Sequence, residues 1–201
     1  MSLETKLFGV PFQNPVMVAS GTFGYGQEMA KFYDLNLLGA VVTKTITKEP
    51  RKGNPPTRIT ETASGMLNTI GLQNPGIDQF VAEEVKFLEQ FTVPLIVNIA
   101  GHSADEFVEL AERLNGIEKI ASIELNLSCP NVAGGLDFST DAARCEQVVR
   151  AIRKVSRKPI IAKLSPNVTN VQDIAKAAEG AGADAISVIN KQKRLSEIKN
   201  D

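Results

Sequence analysis

The sequence predicts an α/β protein built around a parallel β-sheet. Three observations indicate this fold class: short apolar runs rich in β-branched residues recur along the chain, amphipathic helical stretches separate them, and most of the runs end in a polar or ionisable residue. Near-continuous apolar runs are typical of parallel strands, because helices cover both faces of such a sheet. The alternation of strands and helices predicts repeated βαβ units.

Six apolar runs are the expected strands, and they lie at 16–20, 40–44, 95–100, 123–127, 160–164 and 185–190. Before the first run, residues 3–15 contain Gly9, Pro11 and Pro15, which favours a small hairpin. Between the second and third runs, the segment 44–78 is rich in Pro and Gly. Loops of this length in compact domains are usually functional or disordered, and we expect an ordered excursion here.

Apolar residues at helical spacing predict four helices between the strands, with stripes at 77–91, 107–114, 145–155 and 174–178. Ser103 and Glu106 form a capping box at the start of the second helix, and Thr169 and Gln172 are expected to repeat it for the fourth. Gly116 is expected to end the second helix. The glycines of segment 180–184 precede a strand rather than a helix, so they are interpreted as a helix C-cap and not as a phosphate loop.

The composition excludes several function classes. The 201 residues suit one domain, and 22 Lys and Arg against 23 Asp and Glu give a net charge of −1. This balance offers no basic surface for nucleic acid or membrane. No run approaches the roughly 20 apolar residues that span a bilayer, and the N-terminus lacks the apolar core of a signal peptide. Two cysteines are too few for a disulfide framework or a metal site, so we expect a reduced cytoplasmic protein without a metal.

Polar residues recur at the same phase of the expected strands, and these residues are Ser20, Lys44, Asn98, Asn126, Lys163 and Asn190. In a parallel barrel the C-terminal strand ends meet at one mouth, where active sites lie. Strand alternation also places Ser122, Glu124, Asn126 and Ser128 on one face, toward the barrel interior. Two lysines directed into one mouth imply an anionic ligand, because a buried ammonium is costly without a counter-charge. Asparagines, which both donate and accept, suit an amide-rich heterocycle.

Cys129 directly follows a strand end and opens a Gly-rich loop, so its thiol is a candidate base or nucleophile. Cys145 falls in a helical stripe and is expected in the core. His102 is the single histidine, and no Ser-His or Cys-His pair is predicted from it. The glycines of segment 21–26 do not match the dinucleotide-binding fingerprint and are interpreted as a turn.

Four ordered motifs resemble those of class 1 dihydroorotate dehydrogenase. They are Ala-Ser-Gly-Thr-Phe-Gly at 19–24, Thr-Lys-Thr at 43–45, Gly-Met-Leu-Asn-Thr-Ile-Gly-Leu-Gln-Asn-Pro-Gly at 65–76 and Asn-Leu-Ser-Cys-Pro-Asn at 126–131. Segment 53–56 together with segment 65–76 resembles the NAD-linked subtype B catalytic subunit. The resemblance implies a parallel (β/α)8 barrel of the TIM type that holds FMN and oxidises dihydroorotate to orotate in pyrimidine (UMP) synthesis.

The same resemblance implies a role for individual residues. Cys129 would be the general base that takes the C5 proton while a hydride passes from C6 to the flavin. Lys44 would bind the substrate carboxylate. The remaining substrate-binding residues would be Asn68, Thr69, Ile70, Gly71, Leu72, Asn126, Asn131 and Asn190. The FMN-binding residues would be Ser20, Lys44, Thr45, Asn98, Asn126, Lys163 and Ile189.

The resemblance also implies partners, namely a homodimeric contact and an electron-transfer subunit with FAD and an iron–sulfur cluster that passes electrons to NAD, in a heterotetramer. It ends at Asn190, and we interpret 1–190 as an incomplete barrel domain with about six of eight βα units and 191–201 as an unrelated charged tail. Such a chain is expected to retain FMN weakly and to have little activity. Two alternatives stay open: an inactive fragment that packs on a full-length subunit, and a related pyrimidine-reducing flavin barrel.

Overall fold

A computed structural model of the chain describes residues 2–128 and 138–190. Its centre is a five-stranded parallel sheet in the spatial order β3-β6-β7-β8-β9. The strands are β3 (Val41–Val42), β6 (Leu95–Ile99), β7 (Ile120–Asn126), β8 (Ile160–Lys163) and β9 (Ala185–Ser187). All pairings between neighbours are parallel, which confirms the predicted fold class.

The prediction of a strand at 16–20 is wrong. Only Met17 pairs with the sheet, through a single parallel bridge to Ala40, and the Val16 side chain is exposed. The chain turns directly afterwards, where the Thr22 amide donates to the Ala19 carbonyl. Because β3 itself has only two residues, this segment has too short a neighbour to extend the pairing.

The helices cover the outer face of the sheet. They are α1 (Gly76–Gln79), α2 (Lys86–Leu88), α3 (Ala104–Asn115), α4 (Ala142–Val155) and α5 (Val171–Gly180), and the π-helical segment Phe80–Val85 joins α1 to α2. The Ser103 side chain accepts from the Glu106 amide, as predicted for the start of α3. The Glu106 carboxylate, however, accepts from the amide of His102 rather than that of Ser103.

The ends of α5 correct one prediction and confirm another. Asn170, not Thr169, is the N-cap, because its extended backbone lets its side chain accept from the Gln172 amide. At the other end, Gly182 has φ +103°, and the amides of Gly182 and Ala183 donate back to Glu179 and Ala178. This is a Schellman C-cap, so the glycines close a helix as expected.

Strand alternation separates two cores. Ile123 and Leu125 of β7, and Leu127 just beyond it, pack with the helices in the larger cluster, which also contains Cys145 of α4. Cys145 is fully buried, which confirms it as a core residue, and this burial raises the pKa of its thiol to about 11. The opposite face of the sheet carries a smaller apolar cluster, made of Phe12, Ala40, Val42, Ile96 and Ile161. This second cluster forms the floor of the concave side of the sheet.

Two antiparallel hairpins accompany the sheet. The first, β1 (Thr5–Leu7) and β2 (Val10–Phe12), confirms the predicted N-terminal hairpin and places Phe12 in the floor cluster. The second, β4 (Ile59–Thr62) and β5 (Gly65–Asn68), lies in the predicted excursion and is largely exposed. Among the helices of the described residues, none is long and apolar enough to cross a bilayer.

Candidate active site

A polar layer lies above the apolar floor, at the C-terminal ends of three neighbouring strands. The register pairs Asn98 of β6 with Glu124 of β7, and Asn126 of β7 with Lys163 of β8. Asn98 and Lys163 follow the floor residues Ile96 and Ile161 by two positions, and Glu124 and Asn126 are their partners in the register, so all four face the same concave side. All four residues are buried. The sheet therefore collects donors, acceptors and two opposite charges in one interior.

Lys163 is the cation at the centre of this layer. Its Nζ atom donates to Ser20 Oγ at 3.0 Å and lies 3.6 Å from Glu124 Oε1. The residue is only 8% exposed. A buried ammonium is stable only with a partner charge and hydrogen bonds, and Glu124 and Ser20 supply these here. The contact joins the segment after Met17 to β8, across 143 residues of sequence.

Asn98 shares the same carboxylate oxygen. Its Nδ2 group donates to Glu124 Oε1, and its backbone amide donates to Thr43 Oγ1 at 3.2 Å. The residue is fully buried, and in the described part of the chain its Oδ1 atom has no hydrogen-bond partner. The hydroxyl of Ser128, at the end of β7, is likewise buried without a partner among the described residues. Buried polar atoms of this kind are normally satisfied, so both suit contact with a ligand or water.

A second polar group lies at the strand ends around Asn126. Asn126 Nδ2 donates to Thr45 Oγ1 at 3.3 Å, and its Oδ1 accepts from Asn190 Nδ2 at 2.9 Å. The Asn190 backbone amide donates to the carbonyl of Leu164, just beyond β8. Three segments far apart in sequence therefore bring a hydroxyl and two carboxamides together.

Lys44 is half-buried beyond the end of β3, and its backbone amide donates to the Gly24 carbonyl. Burial lowers the pKa of its ammonium, and the charge of Arg58 lowers it further, against the opposing effect of Glu28. Two cations close enough to repel each other make this part of the mouth favourable for an anion.

The segment 68–72 is held against the start of the excursion. Asn54 Nδ2 donates to the carbonyl and the hydroxyl of Thr69, and the Asn54 amide donates to the Ile70 carbonyl. Gly71 has φ +74°, and a Cβ atom there would lie 2.8 Å from the Asn54 side chain. This close approach requires glycine at that position.

Comparison with known proteins gives the family. The sequence model described as dihydroorotate dehydrogenase matches residues 2–200. The chain belongs to the dihydroorotate dehydrogenase family. Two similar relatives are both named dihydroorotate dehydrogenase B (NAD(+)), catalytic subunit. The one from Desulforudis audaxviator is 55% identical over 90% of this chain and 60% of its own length, and the one from Alkaliphilus oremlandii is 54% identical over 94% and 63%.

The chain therefore spans about 60% of the length of these curated relatives. A solved structure shows the same fold: DHODH from Eimeria tenella, in complex with ferulenol, has a TM-score of 0.77 and 22% identity, and the match covers 97% of this chain and 61% of that one. Together with the curled parallel sheet, this likeness confirms a partial (β/α)8 barrel, of which the described residues form five parallel strands and the bridge between Met17 and Ala40.

Dihydroorotate dehydrogenases are flavin-dependent, and the polar layer fits a flavin ring. An isoalloxazine presents ring N–H and carbonyl groups along one edge. The unpartnered Oδ1 atom of Asn98 can accept from such a donor, and the Lys163 ammonium can face a carbonyl or ring nitrogen. The donor set on this side of the sheet therefore matches the family's cofactor.

The structure brings six of the predicted site residues together in two groups. Ser20, Asn98 and Lys163 share one network, and Thr45, Asn126 and Asn190 share the other. Lys44 is coupled electrostatically to Arg58. Ile189 is 54% exposed beyond β9. Cys129 and Asn131 lie outside the described residues, so their roles stay predictions.

Three residues at the site received no role from the sequence. Glu124 had the right strand phase, which put it on the interior face, but nothing in the sequence indicated its contact with Lys163. Arg58 and Asn54 lie in the excursion, where periodicity gives no direction for a side chain. Only the fold shows that the charge of Arg58 acts on Lys44 and that the Asn54 side chain is hydrogen-bonded to Thr69.

Proposed function

We propose that this chain carries the catalytic site for FMN-dependent oxidation of dihydroorotate to orotate, a step of pyrimidine synthesis. The observation that supports it most is the buried group of Lys163, Glu124 and Asn98 at three neighbouring strand ends, with the carboxamides of Asn126 and Asn190 nearby. Family membership and the names of the relatives support the reaction.

In this proposal the flavin is held by residues from several strand ends, with Lys44 at the edge of the ring. The other residues that hold it are Ser20, Thr45, Asn98, Asn126, Lys163 and Ile189. FMN, when bound, supplies the acceptor for the hydride that leaves C6 of dihydroorotate. The Lys163 ammonium stabilises negative charge near the ring, because a fixed cation in a buried site acts strongly on charge that develops beside it. Ser20 holds that ammonium in place through its 3.0 Å hydrogen bond.

Lys44 binds the carboxylate of dihydroorotate, and the charge of Arg58 adds to the positive potential at Lys44. The pyrimidine ring is bound by Asn68, Asn126, Asn131 and Asn190 and by the backbone of residues 69–72. Because carboxamides both donate and accept, they match the alternating N–H and C=O groups of this ring.

Cys129 is proposed as the base, on the resemblance of its motif. Its thiolate takes the proton from C5 as the hydride leaves C6, so the C5–C6 bond becomes a double bond. Ser128, which precedes it in the sequence, is buried two residues beyond the end of β7.

The partners are also part of the proposal. The relatives are named catalytic subunits of an NAD(+) enzyme, and a catalytic subunit implies a further subunit. We propose a homodimer that binds an electron-transfer subunit with FAD and an iron–sulfur cluster in a heterotetramer, in the cytoplasm.

Replacing Lys163 tests the cofactor. Lys163→Met is expected to weaken FMN binding at least about tenfold, because it removes a charge-assisted contact of about 1.5–3 kcal/mol. The measurement is a titration of the purified chain with FMN, followed by flavin fluorescence, with circular dichroism to verify folding. Lys158→Met is the matched control, since this lysine donates to the Ile117 carbonyl at the opposite end of the sheet. Equal affinities of the two variants, or a wild-type chain that binds no FMN, would contradict the proposal.

Replacing Lys44 tests the substrate. Lys44→Ala in the presence of FMN is expected to weaken orotate binding about tenfold to a hundredfold, because orotate loses a charged partner for its carboxylate. Uracil, which lacks the carboxylate, should show a change below about twofold, and calorimetry measures both ligands. Lys48→Ala is the control, since Lys48 is half-buried and pairs with Glu109. A preference for uracil over orotate would instead indicate a pyrimidine-reducing relative.

A further inference from the structure

Glu124 contacts two of the residues assigned to the flavin. Its Oε1 atom accepts from Asn98 Nδ2 and lies 3.6 Å from Lys163 Nζ. Glu124 is 4% exposed, Lys163 is 8% exposed, and Asn98 is fully buried. One carboxylate oxygen therefore organises a cation and a carboxamide inside the protein.

The carboxylate determines which end of Asn98 faces the interior. An ionised carboxylate only accepts hydrogen bonds, so it must face the NH2 group of Asn98 and not the oxygen. The Oδ1 atom is then directed away from Glu124, and it has no partner among the described residues. Glu124 thus leaves a buried acceptor available for an N–H group of a ligand.

The Glu124 carboxylate also weakens the electrostatic effect of the Lys163 ammonium on a bound ligand. A cation beside an anion 3.6 Å away acts more weakly on a third group than an isolated cation does. The effect is large here because both groups are buried, where water screens them little. A negative charge on a bound ring is therefore stabilised less than Lys163 alone would allow.

We propose that Glu124 is a positioning residue that orients Asn98 and restrains the charge of Lys163, and so sets the relative affinity of the site for oxidised and reduced flavin. This inference rests on the proposed function. It assigns Glu124 no direct contact with the flavin.

The first experiment needs no flavin. A double-mutant cycle in urea compares wild type, Glu124→Gln, Lys163→Met and the double variant. Lys163→Met leaves the carboxylate buried without its cation, so this variant is expected to unfold at a clearly lower urea concentration. The double variant should recover much of that loss, because Gln is neutral. Additive effects in the cycle would contradict the coupling between the two residues.

The second experiment measures flavin affinity in both redox states. Glu124→Gln removes the charge and keeps one oxygen that can accept from Asn98, while an NH2 group replaces the other oxygen. We expect it to bind reduced FMN about tenfold more tightly relative to oxidised FMN, which is a rise of about 30 mV in the two-electron potential. Titration with dithionite and reference dyes measures this. Ser122→Ala is the control, because Ser122 lies two residues earlier on the same face and its hydroxyl makes no hydrogen bond to the described residues.

The outcomes separate the two proposals. If Glu124→Gln still binds FMN and its ratio of affinities for reduced and oxidised FMN is unchanged, the role of Glu124 is contradicted. The proposed function is not affected by that result. A wild-type chain that binds no FMN would contradict the proposed function, and the tuning role with it. A change in the flavin potential of equal size in Ser122→Ala would show a general disturbance of β7, and it would also contradict the role of Glu124.

Discussion

Phe12→Ala is expected to lower the free energy of unfolding by about 3–5 kcal/mol. Phe12 ends β2 and is fully buried among Ala40, Val42, Ile96 and Ile161. Removing the ring takes away its burial and leaves a cavity in the floor of the sheet. The hairpin that carries Phe12 cannot close this cavity, because Gln13 and Asn14 donate from their side chains to the carbonyls of Leu38 and Leu37 and hold the hairpin in place.

Urea denaturation followed by circular dichroism measures this loss. Phe32→Ala is the matched control, since the same ring is 81% exposed at that position and its removal should change stability by less than about 0.5 kcal/mol. A loss of unfolding free energy below about 1 kcal/mol in Phe12→Ala would show that packing of the hairpin against the floor cluster contributes little to stability. Equal losses in both variants would have the same meaning.

The strands were largely predictable because their apolar runs reflect burial on both faces. Segments 95–100, 123–127 and 160–164 correspond closely to β6, β7 and β8. Segment 16–20 has a similar composition, but the strand beside it, β3, is short. Whether a segment pairs as a strand depends on the strands beside it, and a local sequence pattern does not contain that information. The π-helical segment Phe80–Val85 has the same apolar stripe as an α-helix, so the sequence could not distinguish the two.

The sequence predicted which residues lie at the strand ends on the interior face. It did not predict which side chains these residues contact. Lys163, Asn98 and Asn126 were expected at one edge, and the structure brings them there. Their partners depend on tertiary geometry: the bond from Lys163 to Ser20 spans 143 residues, and that from Asn126 to Thr45 spans 81. Which carboxylate neutralises Lys163 depends on the register between β7 and β8, and no sequence motif encodes that register.

Asn74→Ala is expected to destabilise the chain by about 3 kcal/mol and to abolish orotate binding. The buried Asn74 side chain accepts from the amides of Thr47 and Gly76 and donates to the Thr47 hydroxyl and the Leu72 carbonyl. Each lost hydrogen bond costs about 1 kcal/mol, and more when a buried partner stays unsatisfied. Leu72 has φ +52°, a left-handed conformation that a leucine adopts only when its surroundings impose it.

The loss of orotate binding follows from the position of Leu72 in segment 69–72, which we propose binds the substrate. Without the Asn74 side chain, the strained backbone at Leu72 relaxes and the donors of this segment move away from the ring. Limited proteolysis should show faster cleavage within 53–73, and calorimetry with FMN present should show no orotate binding. Gln79→Ala removes an exposed amide that contacts only Glu83 in the described structure, and it should leave both measurements unchanged. Intact orotate binding in a destabilised Asn74→Ala variant would show that segment 69–72 is not part of the substrate site.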